Sequence, residues 1–310
     1  TMGDPSGIGP VITLKAINKL RHLADFLVIG DSGVFNSVHG SWGMARIHKF
    51  IDLKNVRQKG FSFGKVRAVY GRASVEYLDK ALELIKKKEI SCLVTCPISK
   101  EAIGMAGFKE AGHTEYLAKH TNTKDFVMML LNKNLRISLV TRHIPLKDVP
   151  EELNQESIYK TISLTGDSLK KIFKIKQPRI VVCGLNPHAS DNGLIGNEEN
   201  RIIKPAIERL RIKSRLCVCG PLSADVAIYK ARRGEYDSVI AIYHDQALIP
   251  LKFDADFTGV NMTLGLPFIR TSPLHGAAFD IAANPALANP ASLIEAIKLC
   301  VKCALNLKKD

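Results

Sequence analysis

The sequence predicts an α/β protein in two lobes, built on mixed or doubly wound sheet, and three observations predict it. Short β-branched runs alternate with amphipathic helical segments from end to end. Two apolar runs, FVMMLLN (126–132) and LRISLVT (135–141), are parted only by Lys133 and Asn134, the spacing of an antiparallel hairpin. A chain of 310 residues also exceeds what a single hydrophobic core usually fills.

The elements follow in order. GDPSGIGP (3–10) is a glycine-rich turn into a helix, with Pro10 suited to the first helical position. A strand ordinarily feeds such a turn, so residues ahead of Thr1 are expected. The turn is not G-x-G-x-x-G, and it reads equally as an anion-holding loop or a plain strand-to-helix turn. DFLVIGD (25–31) is a strand, followed by a helix or turn over 34–38. ASVEYLDKALELIKKKEI (73–90) is a helix with Val75, Leu78, Leu82 and Ile85 on one face and lysines in its last turn. SCLVTCP (91–97) is a strand, and HTEYLAKHT (113–121) a helix with Thr114 as N-cap. After the hairpin come a helix (156–173), a strand RIVVCGLN (179–186), and a helix RIIKPAIERLR (201–211) broken in phase by Pro205. Strands LCVCG (216–220) and SVIAIY (238–243) and a closing helix (291–307) complete the pattern. Repeats and low-complexity linkers are absent, so lobes must meet at chain crossovers. The expected division is 1–125 plus 250–310 for one α/β lobe and 126–249 for the other.

Composition narrows the function classes. Hydrophobic residues at 46% and charged residues at 24% are ordinary for a globular protein. No apolar run approaches the ~18 residues of a membrane span, and no secretory signal opens the chain. Seven scattered cysteines without a disulfide framework suit a reducing cytoplasm. Cys217/Cys219 and Cys300/Cys303 could together hold zinc, but they lie in apolar periodic segments and read as small core residues. The net charge of +14 would attract anions, nucleic acid included. Its lysines and arginines are spread over helix faces and the tail without interleaved aromatics, which argues for a solvated surface and against nucleic-acid binding.

Three histidines fall just past β-branched runs: His143 after RISLVT, His188 after RIVVCGLN and His244 after SVIAIY. In open α/β sheets ligands gather beyond the carboxyl ends of strands, and three neutral imidazoles there suit a catalytic divalent metal. Asp245 can accept the second ring N–H of one of these imidazoles and fix its tautomer. His22, His39, His48 and His120 read as surface residues. His275 opens HGAAFDIA, where small residues permit close approach of a flat ligand. In LKFDADFTGVNMTLGLPFIRTS (251–272), Lys252, Asn261 and Arg270 interrupt apolar stretches. Arg270 can fork toward a carboxylate or phosphate, or serve a structural ion pair.

Taken together, GDPSGIGP, TCPISK, AGHTEYL, TRHIPL, CGLNPHA, YHDQ, GVNMTLGLPFIRTS and HGAAFDIA resemble the 4-hydroxythreonine-4-phosphate dehydrogenase family of vitamin B6 biosynthesis. The motifs run in order from residue 3 to residue 282. The resemblance implies a two-lobed mixed-sheet fold like that of isocitrate and isopropylmalate dehydrogenases, with the active-site cleft between lobes and a homodimer whose metal site lies near the interface. It implies NAD- or NADP-dependent oxidation of 4-phosphooxy-threonine at C3, then decarboxylation to 3-amino-2-oxopropyl phosphate, with zinc, magnesium or cobalt. By motif the metal ligands fall on His143, His188 and His244. Substrate contacts fall on His113, Thr114, Lys252, Asn261 and Arg270, and part of the cofactor on His275 and Gly276. Lys100, Asp225 and Asp245 are the candidate bases. The chain departs from the usual pattern at Val11 (commonly acidic), Ala247 (commonly glycine), 108–111 ahead of GHTE, and 190–193 after His188 (commonly Gly/Glu-rich). Related enzymes oxidise D-threonate or D-erythronate 4-phosphate, so these are alternative substrates. A phosphate acyltransferase-like enzyme is the alternative of another class.

Overall fold

The computed structural model describes residues 1–38, 49–110, 112–254 and 258–308; His39, His48 and Ala111, named above, lie outside the described residues. The chain forms two compact units, Thr1–Lys124 with Leu266–Ala304, and Asp125–Gly265 with Leu305–Asp310.

In the first unit the glycine-rich turn enters α1 (Gly9–Leu20), which carries Pro10 in its first turn and buries most of its length. Val11 is fully enclosed in the apolar core, which an acidic side chain at this position would disrupt. β1 (Leu27–Gly30) leads to α2 (Ser32–Asn36), capped by the Asp31 carboxylate accepting from the Val34 N–H at 3.1 Å. β1 pairs in parallel with β2 (Lys49–Asp52), which the sequence pattern did not reveal. α3 runs Ala68–Lys86, starting ahead of the expected 73, and buries Val75 and Leu78. Gly71 lies inside it: a Cβ there would sit 2.1 Å from the Ala102 carbonyl oxygen of α4 (Lys100–Met105), so close helix packing places a glycine where a breaker would be read. β3 (Cys92–Val94) pairs in parallel with β10 (Ile269–Pro273), aligning Arg270 with Leu93. α5 (His113–His120) begins after Gly112, so Thr114 lies in its first turn rather than at its cap. α11 (Ala291–Lys308) closes the chain and buries Cys300 and Cys303.

The second unit is organised on six strands in the order β9-β4-β5-β8-β6-β7. β4 (Val127–Leu131) and β5 (Arg136–Leu139) form the expected antiparallel hairpin, with Met129 opposite Ser138. The Asn132 Oδ1 closes its turn by accepting from the N–H groups of Asn134 and Leu135, each at 2.8 Å. β4 also pairs antiparallel with β9 (Val260–Leu264) over five residue pairs, so residues 250–265 belong with this unit and not with the first. Beyond β5 the sheet is parallel: β5 to β8 (Ser238–Ala241), β8 to β6 (Arg179–Cys183), and β6 to β7 (Cys217–Leu222). Cys217 is exposed rather than in the core, because β7 is an outer strand. The remaining helices are α6 (Val149–Glu152), α7 (Gln155–Lys171), α8 (Lys204–Lys213), α9 (Ala224–Arg232) and α10 (His244–Asp254). Pro205 marks the expected break in phase: a π-helical turn, Glu199–Ile203, runs directly into α8 at Lys204, with Pro205 in the first turn of α8.

Candidate active site

Four neighbouring parallel strands of the second unit end at one edge, and each hands over a chemically active residue. His143 follows β5, His244 and Asp245 follow β8, His188 follows β6, and Asp225 follows β7. The His143 and His244 rings lie 5.8 Å apart between centroids. His244 Nδ1 is 2.7 Å from the Asp245 carboxylate. An Nδ1–H donating there leaves the Nε2 lone pair outward, the arrangement of a metal-binding imidazole. Asp225 is exposed beside His188; the Ser223 hydroxyl first, then the Val226 N–H, hold its carboxyl below the usual range, with a smaller contribution from His188. Among the described residues no three His, Cys, Asp or Glu side chains already form a metal-binding cluster. The edge offers two facing pairs, His143 with His244 and His188 with Asp225. Imidazole nitrogens, with the His244 ring oriented by the Asp245 carboxylate, are donors that suit a borderline divalent ion.

His188 sits on an unusual backbone. Residues 188–192 all adopt left-handed conformations, with φ of 52, 50, 70, 44 and 59°. Each costs an ordinary L-residue about 1–2 kcal/mol, less for Asp, Asn or His, so the turn persists only where its surroundings impose it. The departure from a glycine-rich sequence at Ser190, Asp191 and Asn192 therefore leaves a glycine-like conformation intact.

The first unit holds a buried cationic site. Arg270 on β10 is 1% exposed, and its Nε and Nη2 donate to the Thr95 hydroxyl at 3.2 and 2.6 Å. Burial pushes its guanidinium down to about 10, against the opposing pull of Glu115. Stem and head are both enclosed, and the head meets a hydroxyl. His113 is half-buried, and its Nε2 is enclosed without a partner among the described residues. Desolvation, then the positive charge of Arg270, hold His113 well below its ordinary value, so it is neutral at pH 7. A hydrogen bond to the Cys96 main chain opposes this shift. Thr114 is buried in the same helical turn. Lys100, exposed at the start of α4, passes close to Gly112 at the start of α5. Lys252 and Asn261 lie in the second unit: Lys252 is exposed on α10, and Asn261 on β9 has an enclosed Oδ1 without a partner among the described residues.

Asp4 was not singled out from sequence. It is fully buried; Oδ1 accepts from the Ser6 N–H at 2.9 Å, and Oδ2 has no partner among the described residues. Burial raises its carboxyl to about 6, against the Ser6 N–H. Only its place within the GDPSGIGP turn could have drawn attention to it. That turn braces the HGAAFDIA loop. The Ile8 N–H donates to the Ala277 carbonyl at 2.9 Å, and a Cβ at Gly7 would lie 2.8 Å from the same oxygen. His275 Nδ1 lies 3.0 Å from its neighbour's carbonyl; its Nε2 is enclosed without a partner among the described residues, and burial lowers its pKa. Gly276 faces open space on the side a Cβ would occupy, as a flat ligand requires.

Comparison with known proteins identifies the family. The family profile described as pyridoxal phosphate biosynthetic protein PdxA matches residues 20–300. A 4-hydroxythreonine-4-phosphate dehydrogenase from Sulfurihydrogenibium sp. (strain YO3AOP1) is 42% identical, covering 97% of this chain and 96% of its own. A D-threonate 4-phosphate dehydrogenase from Cupriavidus necator is 41% identical over 96% of this chain and 94% of its own. The crystal structure of a 4-hydroxythreonine-4-phosphate dehydrogenase from Klebsiella pneumoniae superposes with a TM-score of 0.86 at 36% identity, covering 98% and 96% of the two chains. With a family profile spanning most of its length and near-full-length relatives above 40% identity, this chain is a PdxA-family dehydrogenase.

Proposed function

We propose that the chain catalyses metal-dependent, NAD(P)-linked oxidation of 4-phosphooxy-threonine at C3, followed by decarboxylation to 3-amino-2-oxopropyl phosphate, in vitamin B6 biosynthesis. The observation that carries this reading is the shared carboxyl edge of β5, β8, β6 and β7, beyond which His143, His244, His188 and Asp225 follow in turn. His143, His188 and His244 would hold one divalent ion, zinc, magnesium or cobalt. Such an ion would supply Lewis acidity, favouring negative charge on the substrate oxygens during oxidation and decarboxylation. NAD or NADP would take the hydride, with its adenosine end on His275 and Gly276.

The chain's own residues bind and orient. Arg270, His113 and Thr114, and likewise Lys252 and Asn261, are of the types that would bind phosphate or carboxylate, and such contacts would spend remote binding energy on setting the reacting geometry. The hydroxyl proton passes to Lys100, Asp225 or Asp245. Asp245 already orients His244, and the depressed pKa of Asp225 makes it the weaker base and a better stabiliser of positive charge. Apolar side chains exposed on the second unit, Leu194, Ile249 and Phe253, are the surface we assign to a homodimer contact. No helix among the described residues is long and apolar enough to cross a membrane. A cytoplasmic setting accords with seven cysteines that form no disulfide among the described residues.

A second substrate has specific support, because relatives named for D-threonate 4-phosphate match about as well as those named for 4-hydroxythreonine 4-phosphate. The two differ at C2, where one carries an amine and the other a hydroxyl. NADH or NADPH formation on each, with metal-stripped and metal-restored enzyme, tests both readings. Turnover of 4-phosphooxy-threonine that survives complete metal removal refutes the first.

A further inference from the structure

Resting on the metal-dependent reading, the geometry points to Glu199 as a positioning residue for His188, acting through Asn186 on the left-handed turn. Glu199 is fully buried, and among the described residues it makes no ion pair. Both of its oxygens are used on one residue instead. Oε1 accepts from the Asn186 N–H at 2.8 Å, and Oε2 from the Asn186 Nδ2 at 2.9 Å. A second carboxylate, Glu198, accepts from the same Nδ2 at 2.7 Å. Asn186 precedes Pro187, and its carbonyl accepts from the Ala189 N–H at 3.2 Å inside the turn. The packing leaves no slack: a Cβ at Gly184 would lie 3.0 Å from both the Glu199 Oε1 and the Ala189 Cα.

The same frame reaches His244. Gln246, two residues further on and buried, donates from Nε2 to the Gly184 carbonyl at 2.8 Å and accepts the Ile242 N–H at 2.8 Å. One buried polar network thus ties the segment before His188 to the turn that carries His244. Five residues held at left-handed φ need surroundings that over-determine them, and an ionic group is buried only where its bonds are complete. A carboxylate presents two acceptors to the two donors of Asn186. A glutamine of the same shape presents one acceptor and one donor, so Glu199→Gln breaks one bond without leaving a cavity.

The test titrates Co2+ into the metal-free full-length protein, read by calorimetry and by the visible absorption of the bound ion. Glu199→Gln is expected to weaken Co2+ about 10- to 100-fold, the usual effect of losing an outer partner of a ligand, with the far-UV circular dichroism unchanged. In a His188→Ala background Glu199→Gln should add no further loss, because its effect runs through that imidazole. Wild-type affinity in Glu199→Gln, or additive losses in the double variant, overturns the inference while leaving the metal reading intact. Unchanged affinity in His188→Ala overturns both. Should Glu199→Gln fail to fold, Asn186→Ala keeps the main-chain bond to Glu199 and removes the Nδ2 links to Glu199 and Glu198. The same loss is then expected, and wild-type affinity there overturns the inference equally.

Discussion

Replacing Asp4 with asparagine should make the ligand-free protein more stable at neutral and alkaline pH while lowering its activity. The carboxyl is fully buried, its Oδ2 has no partner among the described residues, and it titrates near about 6 where an unfolded aspartic acid has 3.8. The folded state therefore holds this proton to higher pH than the unfolded chain does, and stability falls as pH rises through that window. At about 1.4 kcal/mol per pH unit, the cost builds between pH 4 and pH 6 and reaches about 3 kcal/mol above that window, with roughly half of it present at pH 5. Asparagine keeps an acceptor for the Ser6 N–H and carries no charge. With an unfolding entropy of about 2.1 cal/mol/K per residue over the whole chain, 3 kcal/mol corresponds to a Tm higher by about 5 °C at pH 8. Thermal unfolding of Asp4→Asn and wild type between pH 4.5 and 8.5 reads this directly. A difference that does not change with pH, or an asparagine variant less stable at pH 8, refutes the argument that an uncompensated buried carboxylate sits at this turn.

Other outcomes follow from the same chemistry. His113 is neutral because burial and Arg270 disfavour its charge, so a phosphate dianion bound beside it should draw a proton onto it. Calorimetry of substrate-analogue binding in buffers of different ionisation enthalpy should show proton uptake near pH 7.5, with affinity rising as pH falls; uptake that persists in His113→Asn assigns the proton elsewhere. Arg270→Lys removes the planar fork that meets Thr95 and should lower kcat/KM for the phosphorylated substrate about 10-fold or more while leaving Co2+ affinity as in wild type. Gly7→Ala drives a methyl to 2.8 Å from the Ala277 carbonyl and should cost about 1–3 kcal/mol, with KM for the nucleotide raised more than KM for the substrate. Ala189→Gly relieves a φ of 50° and should stabilise by up to about 1 kcal/mol net, since glycine also loses more freedom on folding; urea unfolding decides the sign.

The candidate site was legible wherever its chemistry follows a strand read from local pattern. β5, β6 and β8 are buried runs of Val, Ile and neighbours, and a histidine beyond each is visible in one dimension. Their adjacency was not visible, because strand order is set by crossovers and ladder pairing over more than a hundred residues: β8 inserts between β5 and β6, which precede it in the chain. The insertion makes His244 the middle histidine, with His143 on one side and His188 on the other. β9 and β10 were hidden by their own site residues, since Asn261 and Arg270 break the apolar runs that would have announced them.

The residues missed altogether share a physical reason. Asp4, Glu199 and Gln246 are polar types that lie on the surface in most sequences, and here each is buried. Burial of a polar group is a property of the completed fold, decided by which main-chain donors and acceptors remain unmatched once the strands have paired. Glu199 answers the Asn186 donors, and Gln246 answers Gly184 and Ile242, groups separated from it in sequence by up to sixty-two residues. Among the described residues the Asp4 carboxylate answers only Ser6 and leaves one oxygen unmet. By that criterion Glu199 and Gln246 belong to the scaffold that presents the histidines. Asp4 is the group whose remaining partner should be a ligand, and the Asp4→Asn variant separates the two cases by gaining stability as it loses function.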